Sequence, residues 1–109
     1  MSTRSKGNKN ELRCQKALEA EGWLVQRCGY RRFAQNDFFS LWDCLAITEK
    51  ETLFVQVKSN KRPYGKQLKK YTDFAEKYNQ FDYQIWVHVD RKGWDIYTYI
   101  PFEKKWIKE

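Results

Sequence analysis

With 109 residues, 41% of them apolar and 17% aromatic, the chain holds enough material for one compact core and is too short for two domains. No apolar run approaches the roughly 18 residues a membrane span needs, and the opening MSTRSKGNKN lacks the apolar stretch of a secretory signal. The formal net charge of +7 favours a polyanionic partner, because phosphate contacts release condensed counterions; a basic surface that only aids solubility accounts for it nearly as well.

Residues 1–9 are polar and read as a mobile tail. Asn10 is placed to cap a helix from Glu11 to Glu21, with Cys14, Ala17 and Leu18 as its apolar stripe and Gly22 as its left-handed closing residue. A strand from Trp23 to Arg27 follows, then an irregular stretch from Cys28 to Ser40 rich in arginine and aromatics. Leu41 to Thr48 and Thr52 to Lys58 read as two strands around the turn Glu49-Lys50-Glu51. Both are apolar at most positions, which places them in the middle of a sheet covered on both faces.

Pro63 and Gly65 mark a loop before a second helix, Lys66 to Tyr78, in which Leu68, Tyr71, Phe74, Ala75 and Tyr78 recur at helical spacing. Tyr83 to Val89 and Trp94 to Ile100 form a last hairpin across Asp90-Arg91-Lys92-Gly93, and Pro101 stops it. The basic tail to Glu109 is open between helix and irregular chain. The order αβββαββ describes an α/β sandwich, a mixed central sheet flanked by helices, within a single domain over residues 1–109. Cys14, Cys28 and Cys44 are odd in number and form no C-x-x-C pair, so they read as reduced, buried thiols. That predicts a cytoplasmic protein, in the host cytoplasm if a virus or mobile element encodes it.

Polar residues interrupt the two central strands. Asp43 sits in Leu41-Trp42-Asp43-Cys44-Leu45-Ala46-Ile47, where an ionised carboxylate is costly unless paired or bound to a metal. Gln56 and Lys58, in Leu53-Phe54-Val55-Gln56-Val57-Lys58, are spaced by two and share a face. With the turn centred near Lys50, Asp43 falls opposite Val57; one step away in register it falls opposite Gln56 and on its face. Glu11 lies three residues before Cys14 and seven before Leu18, which aims it inward from the first helix.

Oxygen donors beside a lysine suit phosphodiester hydrolysis. A hard cation such as Mg²⁺ takes carboxylate and amide oxygens, keeps several waters, and polarises the attacking one. Each residue also has a bland role. Asp43 could cap a turn, Gln56 could be a polar residue at an edge, and Lys58 could simply reach solvent. Glu11 is what a helix N-terminus favours. His88, the single histidine, sits mid-strand among Trp86, Val87 and Val89 and reads as structural.

The arrangement resembles the PD-(D/E)XK nucleases and, within them, the archaeal Holliday-junction resolvases. The resemblance runs through Gly7-Asn8-Lys9-Asn10-Glu11-Leu12, Glu21-Gly22-Trp23-Leu24-Val25, Trp42-Asp43-Cys44-Leu45-Ala46 and Phe54-Val55-Gln56-Val57-Lys58-Ser59. It continues through Lys66-Gln67-Leu68, Ile85-Trp86-Val87-His88-Val89 and Gly93-Trp94-Asp95-Ile96-Tyr97. It implies a restriction-endonuclease-like fold and a Mg²⁺-dependent DNA endonuclease, with Mn²⁺ able to substitute, acting on branched DNA as a two-fold homodimer. In that reading Asp43, Gln56 and Glu11 hold the metal and Lys58 positions or activates the water. Ser40 resembles a serine that the resolvases place near their site.

Two departures stand out. Gln56 replaces the usual acidic ligand, as in Mrr-like restriction enzymes; its amide oxygen can coordinate Mg²⁺, with one negative charge fewer and weaker binding expected. Trp42 stands where proline is common. Asp37, six residues before Asp43, reads as a solvated loop residue, with a further site carboxylate as the alternative.

The candidate DNA contacts are Arg13, Arg31, Arg32, Lys61, Arg62, Lys66, Lys69 and Lys70; from Lys58 to Lys70 no acidic residue intervenes. Tyr30, Phe33, Phe38 and Phe39 could stack on bases or pack a loop. The aromatics Trp94, Tyr97, Tyr99, Phe102 and Trp106 could form a dimer interface or core. Three readings follow from the whole: a junction-cutting nuclease, a nicking, restriction or repair nuclease on other DNA, and a catalytically inactive nucleic-acid-binding module, which the loss of charge at Gln56 favours.

Overall fold

Thr52–Ser59 is apolar on both sides of its pleat, so this strand must be covered twice, and the rest of the molecule is arranged to do it. A computed structural model describes residues 3–27, 37–39 and 41–109. In chain order its elements are α1 (Thr3–Ala20), β1 (Leu24–Arg27), β2 (Cys44–Ile47), β3 (Thr52–Ser59), α2 (Gly65–Lys77), β4 (Asp82–Val89), β5 (Gly93–Ile100) and β6 (Lys105–Lys108). The six strands form one sheet in sequential order, β1 to β6. Only β3 and β4 run parallel, which requires a crossover, and α2 supplies it.

The two faces of β3 divide the core. Leu53, Val55 and Val57 pack with Cys14 and Leu18 of α1 and with Val25, Cys44, Ala46 and Trp86. On the other side Phe54 joins Tyr71 and Ala75 of α2, with Trp42, Tyr83, Ile85, Val87 and Tyr99. Rings form most of this second half: Trp42 lies 5.3 Å from Tyr71 and 5.2 Å from Tyr83, and Phe54 stacks on Tyr83 at 5.5 Å. Cys14 and Cys44 are free and buried; Cys28 lies outside the described residues.

The mixed α/β sandwich predicted from the sequence is observed, with three local differences. First, α1 begins at Thr3 rather than Glu11. Asn10 is not its cap: the side chain is fully buried and spends its amide on Ser59 of β3, 2.7 Å away. The helix does end where expected. Gly22 adopts φ +99, its N–H donates to Glu19 O at 3.0 Å and the Trp23 N–H to Leu18 O at 3.1 Å, a glycine-closed Schellman ending.

Second, the strand predicted over Leu41–Thr48 is shortened to Cys44–Ile47. Trp42 turns back and exchanges backbone hydrogen bonds with Phe38, at 2.7 and 3.0 Å, which takes the chain out of the ladder. Third, the basic tail contributes β6, paired antiparallel to β5. Trp106 fixes it there, 5.2 Å from the Tyr99 ring and donating its indole N–H to Thr72 Oγ1 of α2 at 2.9 Å. Of the five aromatics considered for an interface, four pack against the two core halves, and Phe102 stands 97% exposed. Among the described residues no helix is long and apolar enough to cross a membrane.

Trp42 plugs the ring cluster at the point where β2 begins. Trp42→Ala is expected to lower the free energy of unfolding by about 3–5 kcal/mol, the range for emptying a buried tryptophan site, as read from urea denaturation curves.

Candidate active site

The ladder between β2 and β3 runs with Cys44 opposite Val55 and Leu45 opposite Phe54. One further step along that ladder would set Asp43 against Gln56, the second of the two registers the sequence allowed, but the paired residues begin only at Cys44. The backbone departs from that ladder at this residue. The Asp43 N–H donates to Val55 O at 2.9 Å, so Asp43 and Cys44 both face Val55, in the manner of a β-bulge. The Asp43 carboxylate then takes over the acceptor role that a backbone carbonyl would have had: Oδ2 accepts the Val57 N–H at 2.9 Å. A carboxylate is thereby fixed against the Gln56–Val57 peptide, 8% exposed.

Gln56 is similarly buried, 6% exposed. Its Nε2 donates to Val57 O at a long 3.4 Å, and its Oε1 has no hydrogen-bond partner among the described residues. Lys58, two residues along on the same face of β3, is half-buried and makes no ion pair among the described residues.

The electrostatics around Asp43 are one-sided. Its carboxyl is pushed up to about 8, chiefly by burial, then by the charge of Glu11; the Val57 N–H acts in the opposite sense, and Asp37 raises it further by charge and by a carboxyl–carboxyl hydrogen bond. Glu11 on α1 is half-buried and raised by its own burial, with Arg27 lowering it and Asp37 raising it. On the opposite face Tyr71 of α2 is pushed up to about 12 by burial and then by the charges of Asp43 and Asp37. Three carboxyl groups thus share one end of the sheet, and among the described residues no cation offsets the burial of Asp43.

Of the residues singled out from the sequence, Asp43, Gln56, Lys58 and Glu11 converge at this end. Asp37 belongs with them: it is exposed, as a loop residue should be, yet bonds to the Asp43 carboxyl. Ser40, Arg31 and Arg32 lie outside the described residues. Lys61 and Arg62 follow β3 directly and are exposed, as are Lys66, Lys69 and Lys70 on the opening turns of α2. Lys69 is tied to Asp73 at 2.8 Å, and Arg62 lies over the Tyr97 ring at 5.4 Å. His88 stands opposite Ser59 in the β3–β4 ladder and packs edge-on against Trp94 at 5.0 Å, in keeping with a structural role.

Sequence reasoning missed Asn10, Ser59 and Tyr71. Asn10 was legible in principle, because it lies four residues before Cys14 and eight before Leu18 and so falls on the inward stripe of α1.

Among the described residues no three His, Cys, Asp or Glu side chains come together as a ready-made metal cage. What the site offers is sparser: a buried carboxylate, an amide oxygen with no partner among the described residues, and a helix carboxylate within electrostatic range. Hard oxygen donors in that number suit a divalent cation that keeps much of its water.

The layers and strand order are those of a restriction-endonuclease-like fold. Hjc of Archaeoglobus fulgidus, a Holliday junction resolvase from an archaeal hyperthermophile, matches with a TM-score of 0.63 and 17% identity over 84% of this chain and 76% of that one. No protein-family model matches the chain, and no curated protein does.

Asp43 holds its proton more tightly in the folded chain than in the unfolded one. Its ionisation therefore favours unfolding: stability is greatest below the unfolded value of 3.8 and is lost as pH rises toward about 8. Asp43→Asn keeps an oxygen for the Val57 N–H and removes the charge. In EDTA the variant is expected to be more stable than the parent at about pH 8 by on the order of a few kcal/mol, with the gap closing near pH 4. Thermal melts across pH would read this directly; a variant less stable at pH 8 would contradict it.

Proposed function

We propose that this chain is a Mg²⁺-dependent DNA endonuclease that hydrolyses phosphodiester bonds, with four-way junctions as its preferred substrate. The observation that carries the reading is the Asp43 carboxylate, uncompensated among the described residues and fixed against the Gln56–Val57 peptide, beside a Gln56 Oε1 that has no partner among them. Burying both is unfavourable for an isolated fold, and one cation answers both. The likeness of the fold to a Holliday junction resolvase supports the choice of reaction.

In this reading Asp43 and Gln56 would hold the metal through their side-chain oxygens, and Glu11 would join directly or through a water. The bound ion supplies charge neutralisation at the phosphate and a more acidic water. Lys58 extends from the same strand with its Nζ toward the phosphate, where its N–H groups orient the attacking water and balance the charge that builds on the phosphoryl oxygens. Water adds at phosphorus and gives up a proton to solvent, one P–O ester bond breaks, and the departing alkoxide takes a proton from solvent water and leaves as a hydroxyl. Lys61, Arg62, Lys66 and Lys70 extend the positive surface from the end of β3 along α2 and bind flanking phosphates without reading sequence. Two copies acting as a homodimer would present two such sites to opposing strands.

A second reading, a module that binds DNA without cutting it, draws on two features: Gln56 in place of an acidic ligand, and the lack of a three-residue cage among the described residues. The two are separated by incubating labelled four-way junction and matched linear duplex with the protein in Mg²⁺, Mn²⁺ or EDTA, beside Asp43→Ala and Lys58→Ala. Metal-dependent cuts near the branch point are expected, reduced at least 100-fold (about 2.7 kcal/mol of barrier) in both variants while binding survives. Equal cutting of both substrates would discard the junction preference. Tight binding with no cleavage in either metal would leave the binding module.

A further inference from the structure

We infer that Arg13 is a preset phosphate-binding residue, its guanidinium held by a relay from Ser59 through Asn10. The inference rests on the DNA reading above and adds to it which cation is fixed in place, and by what. Asn10 is fully buried on the inward stripe of α1, a setting in which an amide must find partners for both ends. It finds them in different directions. Its Nδ2 donates to Ser59 Oγ of β3 at 2.7 Å, and its Oδ1 accepts from an Arg13 guanidinium N–H, also at 2.7 Å.

The order of donors leaves one arrangement. A guanidinium only donates, so the end of Asn10 facing Arg13 must be the carbonyl, and the amide N–H must go to Ser59. The donor-only guanidinium therefore sets which end of Asn10 faces it, the serine hydroxyl anchors the other end by accepting the amide N–H, and the anchored Asn10 holds Arg13 in place. An exposed arginine ordinarily samples many rotamers and loses that freedom when it grips a phosphate. Arg13 is exposed and has no carboxylate partner among the described residues. One of its five N–H donors is anchored to a buried acceptor, and the others remain for an anion.

The relay also places Arg13 usefully. Ser59 follows Lys58 on β3, and Asn10 precedes Glu11 on α1. Two residues apart on a helix, Glu11 and Arg13 project about 200° from each other. The carboxylates thus occupy one flank of α1 over Asp43, and the fixed cation occupies the other, toward the end of β3. A DNA strand crossing the end of the sheet meets the metal-holding groups at the phosphate to be cut and Arg13 at a neighbouring one.

A plain structural brace between α1 and β3 would use the same Asn10–Ser59 bond, and DNA binding without cleavage tells the two apart. The experiment is fluorescence anisotropy on labelled four-way junction in EDTA across a salt series, with the parent, Arg13→Gln, Ser59→Ala, Ser59→Thr, Asn10→Ala and the double variants carrying Arg13→Gln. Arg13→Gln is expected to weaken binding roughly 3- to 10-fold, the scale of one hydrogen bond, and to lower the slope of log K against log salt by about one.

Ser59→Ala and Asn10→Ala should reproduce much of that loss alone and add nothing to Arg13→Gln. Ser59→Thr, which keeps the hydroxyl, should restore binding. If Asn10→Ala fails to fold, the two serine variants decide. The relay is overturned if Arg13→Gln leaves affinity and salt slope unchanged. It is equally overturned if Ser59→Ala weakens binding by the same factor with and without Arg13→Gln. A parent protein that binds no DNA at all would remove the DNA reading itself, a result distinct from either of these.

Discussion

A single hydrogen bond, from the Val57 N–H to the Asp43 carboxylate, organises the end of the sheet on which the rest of the site depends. It substitutes a side-chain acceptor for a backbone one at Asp43, the residue just before β2. The ladder can then stop there without leaving the Val57 N–H unpaired in the core, and the carboxylate is held largely out of solvent. Burial raises its proton affinity, and Glu11 and Asp37 on neighbouring segments reinforce that. The same contact therefore ends a strand, orients the Asp43 carboxyl and fixes it near two further carboxyl groups.

The two faces of the sheet divide the work. On the α1 face, small aliphatic and sulfur side chains pack closely enough for the helix to bring Glu11 to the strand ends. On the α2 face, a ring cluster built on Trp42, Phe54 and Tyr83 fixes the backbone on either side of Asp43. Rings contribute large buried areas with few rotatable bonds, which suits a position where a displacement of the peptide would misplace the carboxylate.

Much of this was legible in the sequence because strand and helix periods leave strong traces. The apolar runs around Asp43 and through Thr52–Ser59 identified the central hairpin, and the spacing of Gln56 and Lys58 identified a face. The register was ambiguous by one residue because it depends on the width of the Glu49–Glu51 turn, which propensity does not fix. The bulge at Asp43 arises from a tertiary contact and has no local signature. Asn10 was misread for the opposite reason: an asparagine ahead of an apolar stripe is a strong local cap signal, and only the presence of Ser59 across the interface outweighs it. The last strand escaped because Lys105-Trp106-Ile107-Lys108 is short, and its pairing is decided by Trp106 reaching Thr72.

Every strand in this sheet lies beside its neighbour in sequence, and α2 is the one crossover among the described elements. Such a meander keeps most contacts local, a topology associated with rapid folding. Asp43 is buried in the folded chain, and Glu11 of α1 reinforces its hold on its proton. Proton uptake by that carboxyl is therefore linked to the docking of the helix, and refolding rates should vary with acidity across the range in which it titrates.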